Sequence, residues 1–81
     1  MSVTDNPPED LLTMAQRHVR EGEARIARQE ALIAKLTQEG HHAAATRGRE
    51  VLKQMHWSLE LGRRHLAFEL AQRSDRRRSG G

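Results

Sequence analysis

The chain has 81 residues, no cysteine, and 36% hydrophobic residues. So short a chain holds one small domain, and such a domain usually needs a staple or a partner to gain more than about 3–5 kcal/mol of stability. A disulfide is excluded, which favours a reducing compartment, and we expect a cytoplasmic protein. No run approaches about 18 consecutive apolar residues, so we expect no membrane-spanning helix. The first residues also lack the basic and apolar regions of a signal peptide.

The formal net charge of +3 comes from the end of the chain. Residues 7–72 carry ten basic and nine acidic side chains, which nearly cancel. The excess lies beyond them, where four arginines accompany one aspartate. The body of the protein therefore lacks the net positive charge that attracts nucleic acid, and only the C-terminal end has it.

The first predicted element is a long helix over about 7–39. Residues 1–6 are polar, and we expect a flexible N-terminus there. Asn6 can accept hydrogen bonds from the first backbone N–H groups, and Pro7 suits the first helical position because its φ is already helical. We therefore expect the helix to begin at Pro7.

A tight turn is predicted at residues 40–41, followed by a second helix over about 42–73. Gly40 is the residue there that adopts a positive φ without strain, which is typical of the position just after a helix. Residues 74–81 contain no apolar side chain and end in Ser-Gly-Gly. We expect them to form a disordered basic tail.

Apolar and small residues in the two halves mirror each other about the predicted turn. Each half has eight positions spaced by three and four, and every facing pair of numbers sums to 81. The positions are Leu12, Ala15, Val19, Gly22, Ile26, Gln29, Ile33 and Leu36 in the first half, and Ala45, Gly48, Leu52, Met55, Leu59, Gly62, Leu66 and Glu69 in the second. Large residues oppose small ones, as in a seam that fills without voids. This pattern predicts an all-α, antiparallel, coiled-coil-like two-helix hairpin.

The same register predicts which charged residues meet beside the seam. Glu30 should meet Arg49, and Glu23 should meet His56. Periodicity alone also permits a different fold, in which one continuous helix passes through Gly40 and pairs with a parallel copy.

The second helix carries another apolar stripe, formed by Trp57, Leu61 and Phe68. At 100° per residue these side chains lie within about 40° of one another, away from the seam. The first helix has a face of small residues at similar spacing: Ala24, Ala27, Ala31 and Ala34. A helix that is apolar on two sides usually meets more than one partner. We therefore expect a homodimer that forms a four-helix bundle, or contact with another protein. Chance exposure of scattered apolar side chains is the third interpretation.

The arginine-rich end offers a second functional hypothesis. Arg73, Arg76, Arg77 and Arg78 could contact phosphates and would then bind nucleic acid in a salt-sensitive, sequence-independent way. The simpler interpretation is a solubilising tail.

Catalytic and metal-binding patterns are missing from the sequence. It has no cysteine or tyrosine, no glycine-rich phosphate loop and no HExxH motif, so we expect neither an enzyme nor a cofactor. His18 and His65 should approach each other across the edge of the seam. Two imidazoles lack the further ligands that a transition metal requires, so we predict no metal site.

Residues 18–70 resemble a group of short alphaproteobacterial helical-hairpin proteins of unknown function. The likeness is carried by Val19-Arg20-Glu21-Gly22-Glu23, Ile26-Ala27-Arg28-Gln29, Leu32-Ile33-Ala34-Lys35-Leu36, Gly40-His41, Leu52, Met55, Leu59 and His65. The resemblance implies a helical hairpin in the bacterial cytoplasm and brings no catalytic or binding residues with it. The function that the sequence favours is a small non-catalytic interaction module that associates with itself and with a partner protein. Nucleic-acid association through the arginines is the alternative.

Overall fold

The protein is a hairpin of two helices. The computed structural model describes residues 10–80, with the side chains of residues 10–75. Helix α1 spans Leu11–Gln38 and helix α2 spans His42–Gly80, and the described residues contain no strand. As numbers rise along α1, the residues that face them on α2 fall, so the helices are antiparallel. The predicted all-α hairpin is confirmed, and a continuous helix through Gly40 is excluded.

Helix α1 begins later than the sequence predicts. Asp10 is extended, with φ −76° and ψ 168°, and its Oδ1 accepts a 2.7 Å hydrogen bond from the N–H of Thr13. Asp10 is thus the N-cap, and the predicted start at Pro7 is wrong. The physical reason is that a carboxylate satisfies a free N–H group at a helix N-terminus as well as an asparagine does. The predicted flexible N-terminus and the Asn6 cap lie outside the described residues.

The turn between the helices is confirmed at Gly40. Its φ of +81° places it in the left-handed region that favours glycine. The N–H of Gly40 donates to the carbonyl of Thr37 at 3.1 Å, and the N–H of His41 donates to the carbonyl of Leu36 at 2.9 Å. These two bonds satisfy carbonyls that the end of α1 would otherwise leave free, in the arrangement of a Schellman motif. The turn therefore reverses the chain within three residues.

The predicted seam is the observed seam. All sixteen mirrored positions are buried or half-buried, and the buried hydrophobic side chains belong to five of them: Ala15, Val19, Ile26, Ala45 and Leu59. Leu52, Met55 and Leu66 pack against the cluster that Val19, Ile26 and Leu59 form. No large side chain among the described residues is completely buried. The hairpin alone therefore encloses a thin core.

The helices approach each other closely at Gly48. A Cβ on Gly48 would lie 2.9 Å from Cγ1 of Ile33, closer than real Cβ contacts. The carbonyl oxygen of Gly48 also accepts a 2.9 Å hydrogen bond from Nε2 of Gln29. This contact sets the register, because sliding either helix would remove the glycine from Ile33 and break the hydrogen bond.

The charged pairs beside the seam differ from the predicted ones. Glu23 pairs with Arg63, Oε2 to Nη2 at 3.2 Å, rather than with His56. Arg49 donates to Oγ1 of Thr37 at 3.5 Å rather than to Glu30. A long arginine reaches a partner one or two turns away, which residue spacing does not reveal. Exposed pairs of this kind contribute about 0.2–1 kcal/mol each.

Helix α2 continues to Gly80, so the predicted end near Arg73 is wrong and residues 74–80 are helical. The stretch holds no proline, and arginine has good helix propensity, so little opposes extending a helix that is already nucleated. None of the described helices is long and apolar enough to cross a membrane.

The glycines of the seam provide a test of this packing. Gly48→Ala should destabilise the hairpin by about 1–3 kcal/mol, because its methyl group meets Ile33. Gly22→Leu should destabilise it similarly, because even a Cβ there would lie 3.1 Å from Cδ1 of Leu59. Urea unfolding followed by far-UV circular dichroism measures both effects.

Gly62→Ala is the matched control, because its Cβ would lie at an ordinary 3.8 Å from Cγ2 of Val19. This variant should be more stable than the parent by up to about 1 kcal/mol, the usual gain of alanine over glycine inside a helix. Equal effects at Gly48 and Gly62 would mean that the helices do not approach each other as described.

The N-cap of α1 provides a test by pH. The hydrogen bonds from Thr13, and then the nearby Arg73, hold the pKa of Asp10 below its ordinary value of 3.8. A lowered pKa stabilises the folded state above the ordinary value, and that stabilisation is lost as the pH falls through the folded-state pKa. Asp10→Ala should therefore melt below the parent at neutral pH, and the difference should shrink from about pH 5 to about pH 2. A constant difference would contradict a charged cap.

Candidate interaction surfaces

The apolar stripe of α2 lies in solvent, on the side opposite the seam. Trp57 is 69% exposed, Phe68 57% and Leu61 44%. The seam occupies the other side of the same helix, so no residue of α1 can cover the stripe. The structure thus places these three residues together on one face, as the sequence predicts. Large exposed apolar side chains that are aligned on one face are typical of contact surfaces.

The alanine face of α1 is also exposed. Ala24, Ala27, Ala31 and Ala34 all lie on the outer side of this helix. Because each helix turns its seam toward the other, the two outer sides form opposite edges of the hairpin. A single flat surface of a partner therefore cannot contact both the stripe and the alanine face. The sequence pattern did not reveal that these two faces lie on opposite edges.

A groove opens on one face of the hairpin, midway along the seam, and the sequence pattern did not predict it. It has a volume of about 380 Å³ and forms where Gly22 and Gly62 bring no side chains to the surface. Its walls are His18, Arg25, Met55, Ser58 and Leu59. In the sequence, Gly22 and Gly62 appear only as small residues of the seam, and the structure shows that they also leave this groove open.

Two further exposed apolar residues, Leu32 and Val51, lie on the same face as the groove. They are 47% and 48% exposed. Their positions on the helical repeat match those of Arg25 and Ser58, seven residues away in each helix. The face of the hairpin that holds the groove therefore also carries a pair of exposed apolar side chains nearer the turn.

The arginine-rich end is partly described. Arg73 lies 3.6 Å from Asp10, Nη2 to Oδ2, so this candidate contact residue is paired with the N-cap of α1. It also lines a second groove of about 300 Å³ with Leu12, Leu70 and Ser74. Arg76, Arg77 and Arg78 belong to the helical part of α2, and their side chains lie outside the described residues.

The histidines do not assemble a ligand set in the described part of the chain. His18 lines the groove, whereas Nε2 of His65 lies 3.9 Å from Oε2 of Glu69. Within residues 10–75, no group of three or more metal-ligating side chains comes together.

Comparison with known proteins leaves the function open. The chain matches no protein-family model, no curated protein and no solved structure. The surfaces of the hairpin are therefore the basis on which its function can be inferred.

Proposed function

We propose that the protein is a small, non-catalytic helical interaction module that associates with itself through Trp57, Leu61 and Phe68. The observation that carries the proposal is the exposure of these three side chains on one face of α2. Tryptophan and phenylalanine supply much contact area with few rotatable bonds, which makes aromatic residues frequent anchors of interfaces.

The thin core supports self-association. Five buried hydrophobic residues, two of them alanines, give little apolar burial for two helices of 28 and 39 residues. Small single-seam folds commonly gain the missing stability by oligomerisation. A second copy of the chain is the simplest partner to supply this stability, because it is present wherever the protein is made.

The placement of the stripe suggests how four helices would assemble. In a square four-helix bundle, each helix turns one apolar face toward a shared centre. The stripe of α2 instead lies opposite its own seam, which suits helices stacked side by side or a helix laid across another hairpin. A homodimer with this stripe at its centre is therefore expected to differ from a square bundle.

The arginines of α2 support a second candidate function. Because α2 is helical to Gly80 and α1 begins at Leu11, the last turns of α2 have no counterpart on α1. A basic helix is a form in which proteins contact phosphates. Its binding would weaken steeply with salt, whereas apolar association would not.

Sedimentation velocity at low and high salt tests both functions. We expect the parent protein to sediment above the 9.2 kDa of one chain at both salt concentrations. Trp57→Ala combined with Phe68→Ala should shift it to the monomer while leaving it helical by circular dichroism. The matched control combines Leu11→Ala with Leu70→Ala, which are 56% and 48% exposed and lie outside the stripe.

The stripe is not the self-contact if the Trp57/Phe68 double variant keeps the parent's mass. Equal losses in the double variant and its control would indicate nonspecific association. Nucleic-acid absorbance that co-sediments at low salt and is lost at high salt would instead favour the arginine-rich end.

A further inference from the structure

We propose that the groove at Gly22 and Gly62 is the acceptor for the α2 stripe of a second copy, with Trp57 seated in the groove. This inference rests on the proposed self-association and adds its geometry. The contact would be complementary, stripe into groove, rather than stripe against stripe. It would follow the helix-in-groove mode, in which an amphipathic helix lays its apolar face between two others.

The first support is the unexplained glycine at position 62. A glycine inside a helix costs about 1 kcal/mol relative to alanine. At Gly48 the close approach of Ile33 accounts for that cost, and at Gly22 the approach of Leu59 does. A methyl group added at Gly62 would have its nearest neighbour 3.8 Å away, so the seam would accept alanine. What the missing side chain does provide is the depth of the groove.

The second support is the chemistry of the groove walls. Leu59 and Met55 offer apolar contact, and a thioether packs well against aromatic rings. Arg25 has no ion-pair or hydrogen-bond partner among the described residues. A free guanidinium beside a cleft can lie over the face of an indole, and tryptophan is the best of the aromatic residues for this interaction.

The third support is a match of spacing. Phe68 follows Trp57 by eleven residues, and Val51 precedes Gly62 by eleven. At 1.5 Å per residue, both separations are about 16 Å. If the incoming α2 runs antiparallel to the α2 that it meets, Trp57 in the groove brings Phe68 over Val51 and Leu32. The two exposed apolar places on the groove face are thus as far apart as the two aromatic residues of the stripe.

Mixing two complementary variants tests the proposal. Trp57→Ala keeps the groove and loses its occupant, whereas Gly62→Leu fills the groove and keeps the stripe. Each variant alone should sediment as a monomer of 9.2 kDa. An equimolar mixture should recover a species of two chains, because the groove of one variant accepts the intact stripe of the other.

Gly62→Ala guards against a folding artefact. The added methyl group has room within the seam, so this variant should melt at or above the parent's temperature when both are diluted until they are monomeric. Its dissociation constant for self-association should nevertheless rise several-fold, because the groove becomes shallower. Stability and association then change in opposite directions, which a merely unfolded variant cannot produce.

The outcomes separate this inference from the proposed function. If Gly62→Leu folds and keeps the parent's mass, the groove is not the acceptor, although the stripe still forms the contact. If both single variants are monomeric and the mixture does not recover a two-chain species, the groove of one copy does not accept the stripe of another, and the inference is wrong. If Trp57→Ala and the Trp57/Phe68 double variant both keep the parent's mass, the proposed function itself fails.

Discussion

The close approach of the two helices at Gly48 is the constraint on which the rest of the structure depends. There the side chain of Ile33 occupies the space that a Cβ would need, and Gln29 donates to the Gly48 carbonyl at 2.9 Å. Since this contact admits one register, it determines which residues line the seam. It thereby also determines which residues remain outside, on the outer faces of the hairpin.

The turn at Gly40 and the contact at Gly48 together position the two helices. The turn brings the start of α2 against the end of α1. The contact at Gly48, two helical turns further along α2, sets the axial register of the two helices. From there the seam continues by alternating large and small residues to the open end, where Arg73 lies beside Asp10. The core that results is thin, because two helices share only one line of contact. Exposed apolar side chains on such a scaffold are consistent with a protein that gains stability by association.

The glycines of the seam serve different purposes in this hairpin. Gly22 and Gly48 allow the helices to approach, and the packing around them accounts for the absence of a side chain. Gly62 lies in the same row but has room to spare, and its effect is on the surface rather than in the seam. The row of glycines therefore includes one position that the packing of the seam does not explain, and that position lines the groove.

The sequence by itself predicted the helices, the glycine at which the chain turns and all sixteen seam positions, because helical periodicity and glycine's tolerance of a positive φ are local properties of the chain. That the chain folds back at Gly40, rather than continuing as one helix, was decided by the tertiary structure. The sequence also identified Trp57, Leu61 and Phe68 as lying away from the seam, because helical periodicity places them there. The start at Leu11 and the end at Gly80 were not predicted, since several residues near each end suit either role. Only the tertiary structure decided that the stripe and the alanine face lie on opposite edges, that Glu23 meets Arg63, and that a groove opens at Gly22 and Gly62. Those features depend on the distance between two helices, which residue spacing along one chain does not contain.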